Sequence, residues 1–269
     1  FLFEFDRSLQ DSKQGLYPRW QPDFAFGYGY PFFNIYGPLS TVWAEAFRPH
    51  LGFVNSIKVV LALSVVCSGL AMYGFVKQSL GRQPGLVAAV AYMVIPYRLV
   101  DLYVRAALAE SVAYLFVPLV LWGIWATLHR PRLTNLVGLA FAYASLMLTS
   151  PLVTLLLTLV LVFFIAVLAL NRLNSEQPWR DLSRESALPL LGHLAHLLIP
   201  PACGLVLGLG LCAAFAVPAM TENQFVRVDQ WYGGRYAWGG DFVEFFQLFS
   251  PRWGFGASIP GPDDEAGFQ

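Results

Sequence analysis

The sequence has little charge of either sign. Asp, Glu, Lys and Arg make up only 13% of its 269 residues, against roughly 25% in an average soluble protein. The 17 basic and 17 acidic residues cancel, so the chain offers no basic surplus with which to bind nucleic acid. With 57% hydrophobic residues and a mean hydropathy of +0.54, the sequence excludes a water-soluble enzyme.

Cysteine is scarce as well. Cys67, Cys203 and Cys212 lie within apolar segments and lack the spacing of a disulfide framework or a metal site, so we interpret them as small apolar side chains. A nucleotide-binding fingerprint is missing too, because Gly27 and Gly29 are not followed by its third glycine. No secretory signal peptide is visible. Since the chain begins without Met and stops within a loop, we expect it to be part of a longer protein.

Long apolar segments dominate the rest of the chain. About 20 apolar residues allow a helix to cross the roughly 30 Å hydrocarbon core of a bilayer. The apolar segments cover 51–76, 85–97, 111–128, 134–170 and 187–221. The fourth is broken at Ser150–Pro151, which suggests a hairpin. The fifth is interpreted as an interfacial stretch followed by a helix over about 197–219, with a hairpin at Pro200–Pro201 as the alternative. The sequence therefore predicts an all-α polytopic membrane protein with about six transmembrane helices.

The distribution of Lys and Arg predicts the orientation of these helices. Seven of them fall within 29 residues in three short loops, 77–84, 129–133 and 171–186. By the positive-inside rule these loops are cytoplasmic, and both ends of this multi-pass chain are then extracytoplasmic. The predicted organisation is an extracytoplasmic loop with an interfacial helix over 1–50, a transmembrane helix bundle over 51–219 and an extracytoplasmic loop over 220–269.

Two of the predicted helices are short. Residues 85–97 would rise about 20 Å and residues 134–149 about 24 Å, so both end below the outer membrane surface. Irregular backbone at that depth is tolerated only against protein or beside a water-filled cavity. We therefore expect a crevice in the outward-facing leaflet, covered by the two extracytoplasmic segments.

The polar patch that follows the second apolar segment is the first candidate site. Arg98, Asp101 and Arg105 are spaced so that they can pair on one face of a helix. One interpretation is an ion-pair network that satisfies a buried turn. The other is a phosphate clamp in which these three residues, Tyr103 and Glu110 bind the substrate, because guanidinium groups bind phosphate oxygens bidentately. We favour the clamp, since ionisable residues within a membrane often serve function.

The N-terminal segment is the second candidate site. Residues 17–36 contain nine aromatic residues interrupted by Pro and Gly, which indicates a structured, non-helical loop. One interpretation is an aromatic belt at the membrane interface. The other is a binding platform for sugar rings that includes Trp20, Asp23, Tyr28 and Tyr36, beside a carboxylate that acts as a general base on an acceptor hydroxyl.

A third group of aromatic and acidic residues lies near the C-terminus. It comprises Trp231, Trp238, Trp253, Asp229, Asp241 and Glu244. The later acidic residues 263–265 are interpreted as a solvated loop, with divalent-metal binding as the less favoured alternative.

Several of these motifs resemble a bacterial integral membrane family that carries the name "6-pyruvoyl-tetrahydropterin synthase-related" membrane protein. The matching motifs are 16–20, 22–23, 27–39, 95–98, 101–105, 109–110 and 247–256. The resemblance covers essentially the whole chain, with the motifs in the same order. The family name does not imply pterin chemistry, because the sequence offers no soluble zinc–histidine site.

Such proteins are similar in layout to C-type (GT-C) membrane glycosyltransferases and to YfhO-like proteins. The resemblance implies transfer of a sugar from a polyprenyl-phosphate donor at the outer membrane face. It makes Glu4 and Asp6 the nearest candidates for the catalytic carboxylate, and it places Arg98 and Arg105 at the donor phosphate. In this superfamily the key acid often lies in the first outer loop, so the true base could precede Phe1. A divalent metal as cofactor is left open, and membrane lipids are expected partners.

A different class of function is the alternative. The chain could be a non-catalytic membrane protein that binds or presents a glycolipid during cell-envelope assembly. A transporter is less favoured, because the polar residues collect on one side of the predicted membrane, whereas alternating access favours a site near its middle.

Overall fold

The structure is a computed structural model that describes residues 2–10, 19–176 and 188–222, and the statements below concern these residues. Contacts divide the chain into Phe1–Met220 and Thr221–Gln269, and the description that follows concerns the first of these units. Its residues are almost entirely helical, and the described part contains no β-strand. A single antiparallel bridge joins Gln21 to Tyr30.

Ten α-helices and two other helical turns make up the described residues. The α-helices are α1 (Leu2–Gln10), α2 (Phe32–Ile35), α3 (Leu39–Leu80), α4 (Arg82–Val94), α5 (Pro96–Val100), α6 (Leu108–His129), α7 (Leu133–Thr149), α8 (Pro151–Glu176), α9 (Leu188–Leu211) and α10 (Ala213–Thr221). A 3-10 turn covers Ala25–Gly27, and a π-helical turn over Asp101–Arg105 follows α5.

Four helices are long and apolar enough to cross a membrane. They are Leu39–Leu80, Leu108–His129, Pro151–Ser175 and Leu194–Leu211. α4, together with Pro96–Arg105, forms a fifth candidate as a broken span bent by 40°. α7 is a shorter apolar helix of 17 residues. An all-α architecture with several membrane-length helices is thus confirmed, whereas the count of six spans and their orientation stay predictions.

α3 begins well before the predicted span at residue 51. It starts at Leu39 and contains a break at Gly52, whose φ of 72° and ψ of 174° are not helical. Glycine adopts positive φ without steric cost, and Pro49 lies within the helix just before it. The part of α3 before the break is thus joined by a kink to the apolar span, and the interfacial helix expected within 1–50 stays a prediction.

The hairpin at Ser150–Pro151 is confirmed. The Tyr143 hydroxyl lies 3.0 Å from Oγ1 of Thr158, although a straight helix would separate these residues by about 22 Å. In contrast, the alternative hairpin at Pro200–Pro201 is wrong, because α9 runs through both prolines. α9 also starts at Leu188 rather than near residue 197, so the expected interfacial stretch is part of the same helix.

α6 is the central helix of the bundle. It packs against α3, α7, α8 and α9, and its Val112, Val120 and Ile124 are completely buried. The outer faces of α8 and α9 remain apolar and exposed, as shown by Leu159 and Phe163. Exposed apolar faces of this kind are what a helix bundle presents to lipid.

The antiparallel course of the helices brings the candidate residues to one end of the bundle. The end of α7 meets the N-terminal loop at Gly37, where an added Cβ would collide with the carbonyl oxygen of Leu148. Arg19 donates to the carbonyl oxygen of Ala214 at 3.0 Å. The helix break after α4 lies at this end too, because it directly precedes α6, whose start lies beside the end of the antiparallel helix α7. We call it the polar end.

Candidate functional site

Arg98 is a completely buried charged residue at the helix break. Its Nη1 donates to Oγ of Ser68 at 2.7 Å, and its Nη2 donates to the carbonyl oxygen of Ser64 at 3.1 Å. The guanidinium carbon lies 5.6 Å from the ring centroid of Tyr92 and 5.1 Å from that of Tyr114, within the range of cation–π attraction. Arg98 thus joins the broken span to α3 and α6.

Arg98 has no ion-pair partner among the described residues. The spacing allowed a pair with Asp101, but the structure does not form one. Its Nε also lacks a hydrogen-bond partner there. Because protein encloses Arg98 on all sides, the structure does not present it to a phosphate as the sequence predicted, and such a contact would require the helix break to open.

Arg105 forms the ion-pair network that the sequence predicted as one interpretation of the patch. Its Nη1 donates to Oδ1 of Asp101 at 2.6 Å, to Oε2 of Glu110 at 3.0 Å and to the Tyr97 hydroxyl at 3.1 Å. The Arg105 side chain is 44% exposed, whereas that of Asp101 is completely buried. We call Tyr97, Asp101, Arg105 and Glu110 the arginine cluster. Tyr103, which the sequence also assigned to the clamp, points outward and is 79% exposed.

Local sequence explains why the helix breaks at the arginine cluster. Ile95 has the extended conformation (φ −57°, ψ 133°) that a following proline favours, and Pro96 then begins α5 at a position where its missing N–H costs nothing. At the other end, Ala106 adopts a left-handed conformation with φ 48°. The N–H groups of Ala106 and Ala107 both donate to the carbonyl oxygen of Asp101, the latter at 2.9 Å, which closes the π-helical turn.

Asp6, a predicted catalytic carboxylate, is buried in a second polar cluster. It forms a close ion pair with Arg48, and Nε of Arg48 contacts both carboxylate oxygens of Glu45 at 2.8 and 2.9 Å. Sequence analysis did not name Glu45 or Arg48, although their spacing of three residues within a helix was a usable signal. Glu4, the other predicted base, lies in α1, and its side chain is outside the described residues.

The N-terminal loop is structured and mostly non-helical, as predicted. Gln21 and Tyr30 exchange two backbone hydrogen bonds of 2.9 Å. Gly29 lies so close to the indole of Trp20 that an added Cβ would collide with it. Burial, helped by the nearby Tyr36 hydroxyl, raises the pKa of Tyr30 above its usual value, so Tyr30 stays neutral at physiological pH.

The residues of the predicted sugar platform have different surroundings within the loop. Asp23 pairs with Arg7 at 2.5 Å, and Tyr28 extends outward with 88% of its surface exposed. Tyr36 stacks on Phe32, with ring centroids 4.5 Å apart. The structure therefore places these residues in one loop but gives Asp23 and Tyr36 separate partners.

The residues that hold Arg98 were not found from the sequence. Tyr92 and Tyr114 lie in different helices, and the Tyr92 hydroxyl donates to the carbonyl oxygen of Tyr114 at 2.9 Å. Ser64 and Ser68, four residues apart in an otherwise apolar helix, were the available signal, because small polar residues in membrane helices often mark a polar contact between helices.

A cleft of about 330 Å³ lies between α6 and α7. The cleft extends from Phe116 and Ser145 at one end to Ala126 and Thr134 at the other, and most of the residues that line it are apolar. None of the predicted site residues lines it, so this cleft is not the crevice that the sequence predicted at the polar end.

Within 2–10, 19–176 and 188–222, no group of three His, Cys, Asp or Glu side chains is placed to hold a metal ion. The tryptophans and carboxylates between residues 229 and 265 lie outside the described residues.

Comparisons of the chain with protein-family models, with curated proteins and with solved structures find no significant match.

Proposed function

We propose that the protein is a membrane glycosyltransferase that takes a sugar from a polyprenyl-phosphate donor, with Arg105 at the donor phosphate. In this proposal the arginine cluster lies at the extracytoplasmic end of a bundle of six transmembrane helices. The observation that carries the proposal is a half-exposed guanidinium, held in a fixed orientation at a broken helix within an apolar bundle.

Arg105 keeps hydrogen-bond donors that the cluster does not use. A guanidinium has five N–H donors. Nη1 is shared among three acceptors, and Nη2 reaches only Oε1 of Glu110 at 3.4 Å. The rest of the Nη2 and Nε edge is therefore open to phosphate oxygens, for which guanidinium geometry is well suited. Because Asp101 and Glu110 already orient the group, little reorganisation is needed when phosphate charge develops.

The proposed reaction is a displacement with inversion at the anomeric carbon. A carboxylate from the N-terminal segment removes the proton from an acceptor hydroxyl, whose oxygen attacks that carbon as the bond to the phosphate oxygen breaks. Arg105 stabilises the leaving polyprenyl phosphate. Of the predicted bases, Asp6 is buried and paired with Arg48, so this pair has to open before Asp6 can contact an acceptor hydroxyl, and Glu4 lies in the same helix.

An assay with the full chain in liposomes and a panel of polyprenyl-phosphoryl hexoses tests this proposal. Arg105→Gln is expected to slow release of polyprenyl phosphate by about 100-fold or more, a loss typical of removing one charge-stabilising donor. Arg105→Lys should recover only part of the rate, because an ammonium group cannot bind bidentately. Arg82→Gln, at the start of α4, is the matched control.

Two results would contradict a role for Arg105 at the phosphate. One is a nearly unchanged rate in Arg105→Gln. The other is a lowered thermal midpoint with an unchanged rate per folded molecule, which is the result expected if the cluster is only an ion-pair network that satisfies a buried turn.

The second candidate is a non-catalytic protein that binds or presents a glycolipid. The surroundings of Asp6 favour it, because this carboxylate is buried against Arg48 and is not exposed to an acceptor hydroxyl. This candidate predicts that the wild-type chain binds the polyprenyl-phosphoryl hexoses without turnover, and that Asp6→Asn leaves this binding intact.

A further inference from the structure

The connection between α6 and α7 exposes two arginines. Arg130 and Arg132 flank Pro131 and are both exposed. Neither forms an ion pair within the part of the chain that the structure describes. The backbone of the connection is nevertheless fixed, because the Arg130 N–H donates to Ala126 at 2.8 Å. Two positively charged residues thus lie two positions apart in a short connection at one end of the α6–α7 pair.

The apolar cleft between α6 and α7 opens beside these arginines. Its lining includes Ala126, Asn135 and Gly138, and Nδ2 of Asn135 donates to the carbonyl oxygen of Arg130 at 2.8 Å. The same side chain therefore lines the cleft and contacts the basic connection. Along α6 the cleft extends from Phe116 to Ala126, and these ten residues correspond to about 15 Å of helix.

The two features together match the chemistry of one class of molecule. The cleft volume of about 330 Å³ lies at the lower end of the range for bound small molecules. Its apolar wall suits a hydrocarbon chain, whereas the adjacent guanidinium groups suit an anion. Basic sites next to membrane helices bind acidic lipid headgroups for the same reason.

We propose that the α6–α7 cleft binds one anionic phospholipid, with an acyl chain along the cleft and the headgroup phosphate between Arg130 and Arg132. This site is separate from the arginine cluster, which lies at the opposite end of α6. It does not depend on the proposed transferase activity.

Lipid binding to the purified full chain, measured by native mass spectrometry, tests the proposal. The probe is an equal mixture of phosphatidylglycerol and phosphatidylcholine. The wild-type chain should retain phosphatidylglycerol preferentially. The double variant Arg130→Gln and Arg132→Gln should lose that preference by about tenfold or more, because two charge-assisted contacts to phosphate are removed. Arg82→Gln removes an arginine from the neighbouring α3–α4 connection and should keep the wild-type preference.

A second variant tests the cleft itself. Gly138 lines the cleft, and an added Cβ there meets no atom within 4 Å, so Gly138→Leu is the substitution chosen to occupy the cleft. It should reduce retention of both lipids, whereas Gly210→Leu, at an equally open position in α9, should not. Wild-type lipid preference in the double arginine variant, or unchanged retention in Gly138→Leu, would overturn the proposal. Equal loss in Arg82→Gln would also overturn it, because the effect would then be one of overall charge.

Discussion

The guanidinium of Arg98 lies 2.7 Å from the hydroxyl of Ser68, and this contact joins the broken span to α3. Within the described residues no carboxylate pairs with Arg98. A hydroxyl, a carbonyl group and two tyrosine rings surround its charge instead. Since a buried charge is costly unless its donors are satisfied, the stability of the helix break depends on these neutral partners.

Ser68→Ala is therefore expected to destabilise the protein. The substitution removes the acceptor of Arg98 Nη1 while leaving the charge buried, and an unsatisfied buried donor costs about 1–3 kcal/mol. Ser79→Ala in the same helix is the control, because the Ser79 hydroxyl is exposed and donates only to carbonyl oxygens of its own helix. Denaturation in detergent micelles measures the difference. Equal stabilities of the two variants would show that Ser68 does not support Arg98.

The positions of the helices could be predicted from the sequence because the apolar residues form continuous segments. The start of α3 could not, since residues 39–50 mix aromatic, polar and charged side chains and show no long apolar run. Helix α9 runs through Pro200–Pro201, as the favoured helix over about 197–219 requires, and only the alternative hairpin expected proline to break the helix there. In an apolar environment without competing water, neighbouring backbone hydrogen bonds persist around a proline.

The candidate site was predictable only where its contacts are local. Asp101 and Arg105 are four residues apart on one helical turn, so their pair follows from spacing. Arg98 reaches back 30 residues to Ser68, and Asp6 pairs with a residue far along the chain in α3. Such contacts depend on how the helices pack, which no local pattern determines.

The packing of α7 against α9 provides a matched pair of glycine variants. A Cβ at Gly208 would lie 2.8 Å from the carbonyl oxygen of Ala140, whereas one at Gly210 would meet nothing within 4 Å. Gly208→Ala should therefore destabilise the protein by about 1–3 kcal/mol through overpacking. Gly210→Ala should be neutral or stabilise it by up to about 1 kcal/mol, because alanine favours the helix. Thermal unfolding of both variants in one lipid mixture measures this, and a stable Gly208→Ala would mean that α9 does not approach α7 so closely.

Variants that break the ion pair between Asp6 and Arg48 can distinguish a catalytic role of Asp6 from a structural one. Either Asp6→Asn or Arg48→Gln breaks the pair. Both variants should destabilise the protein, because Asp6 is buried and Arg48 also contacts Glu45. Asp23→Asn, which breaks an exposed pair with Arg7, is the control and should cost under about 1 kcal/mol.

The rate at which the same variants release polyprenyl phosphate, divided by the folded fraction, then shows which role Asp6 has. If Asp6 is the base, Asp6→Asn abolishes release of polyprenyl phosphate. Arg48→Gln leaves the rate intact or raises it, because the carboxylate is freed from its ion pair. If Asp6 only holds α1 against α3, both variants show the same rate per folded molecule. A lower normalised rate in Arg48→Gln than in Asp6→Asn would contradict both roles, because it would make Arg48 the group that the reaction needs.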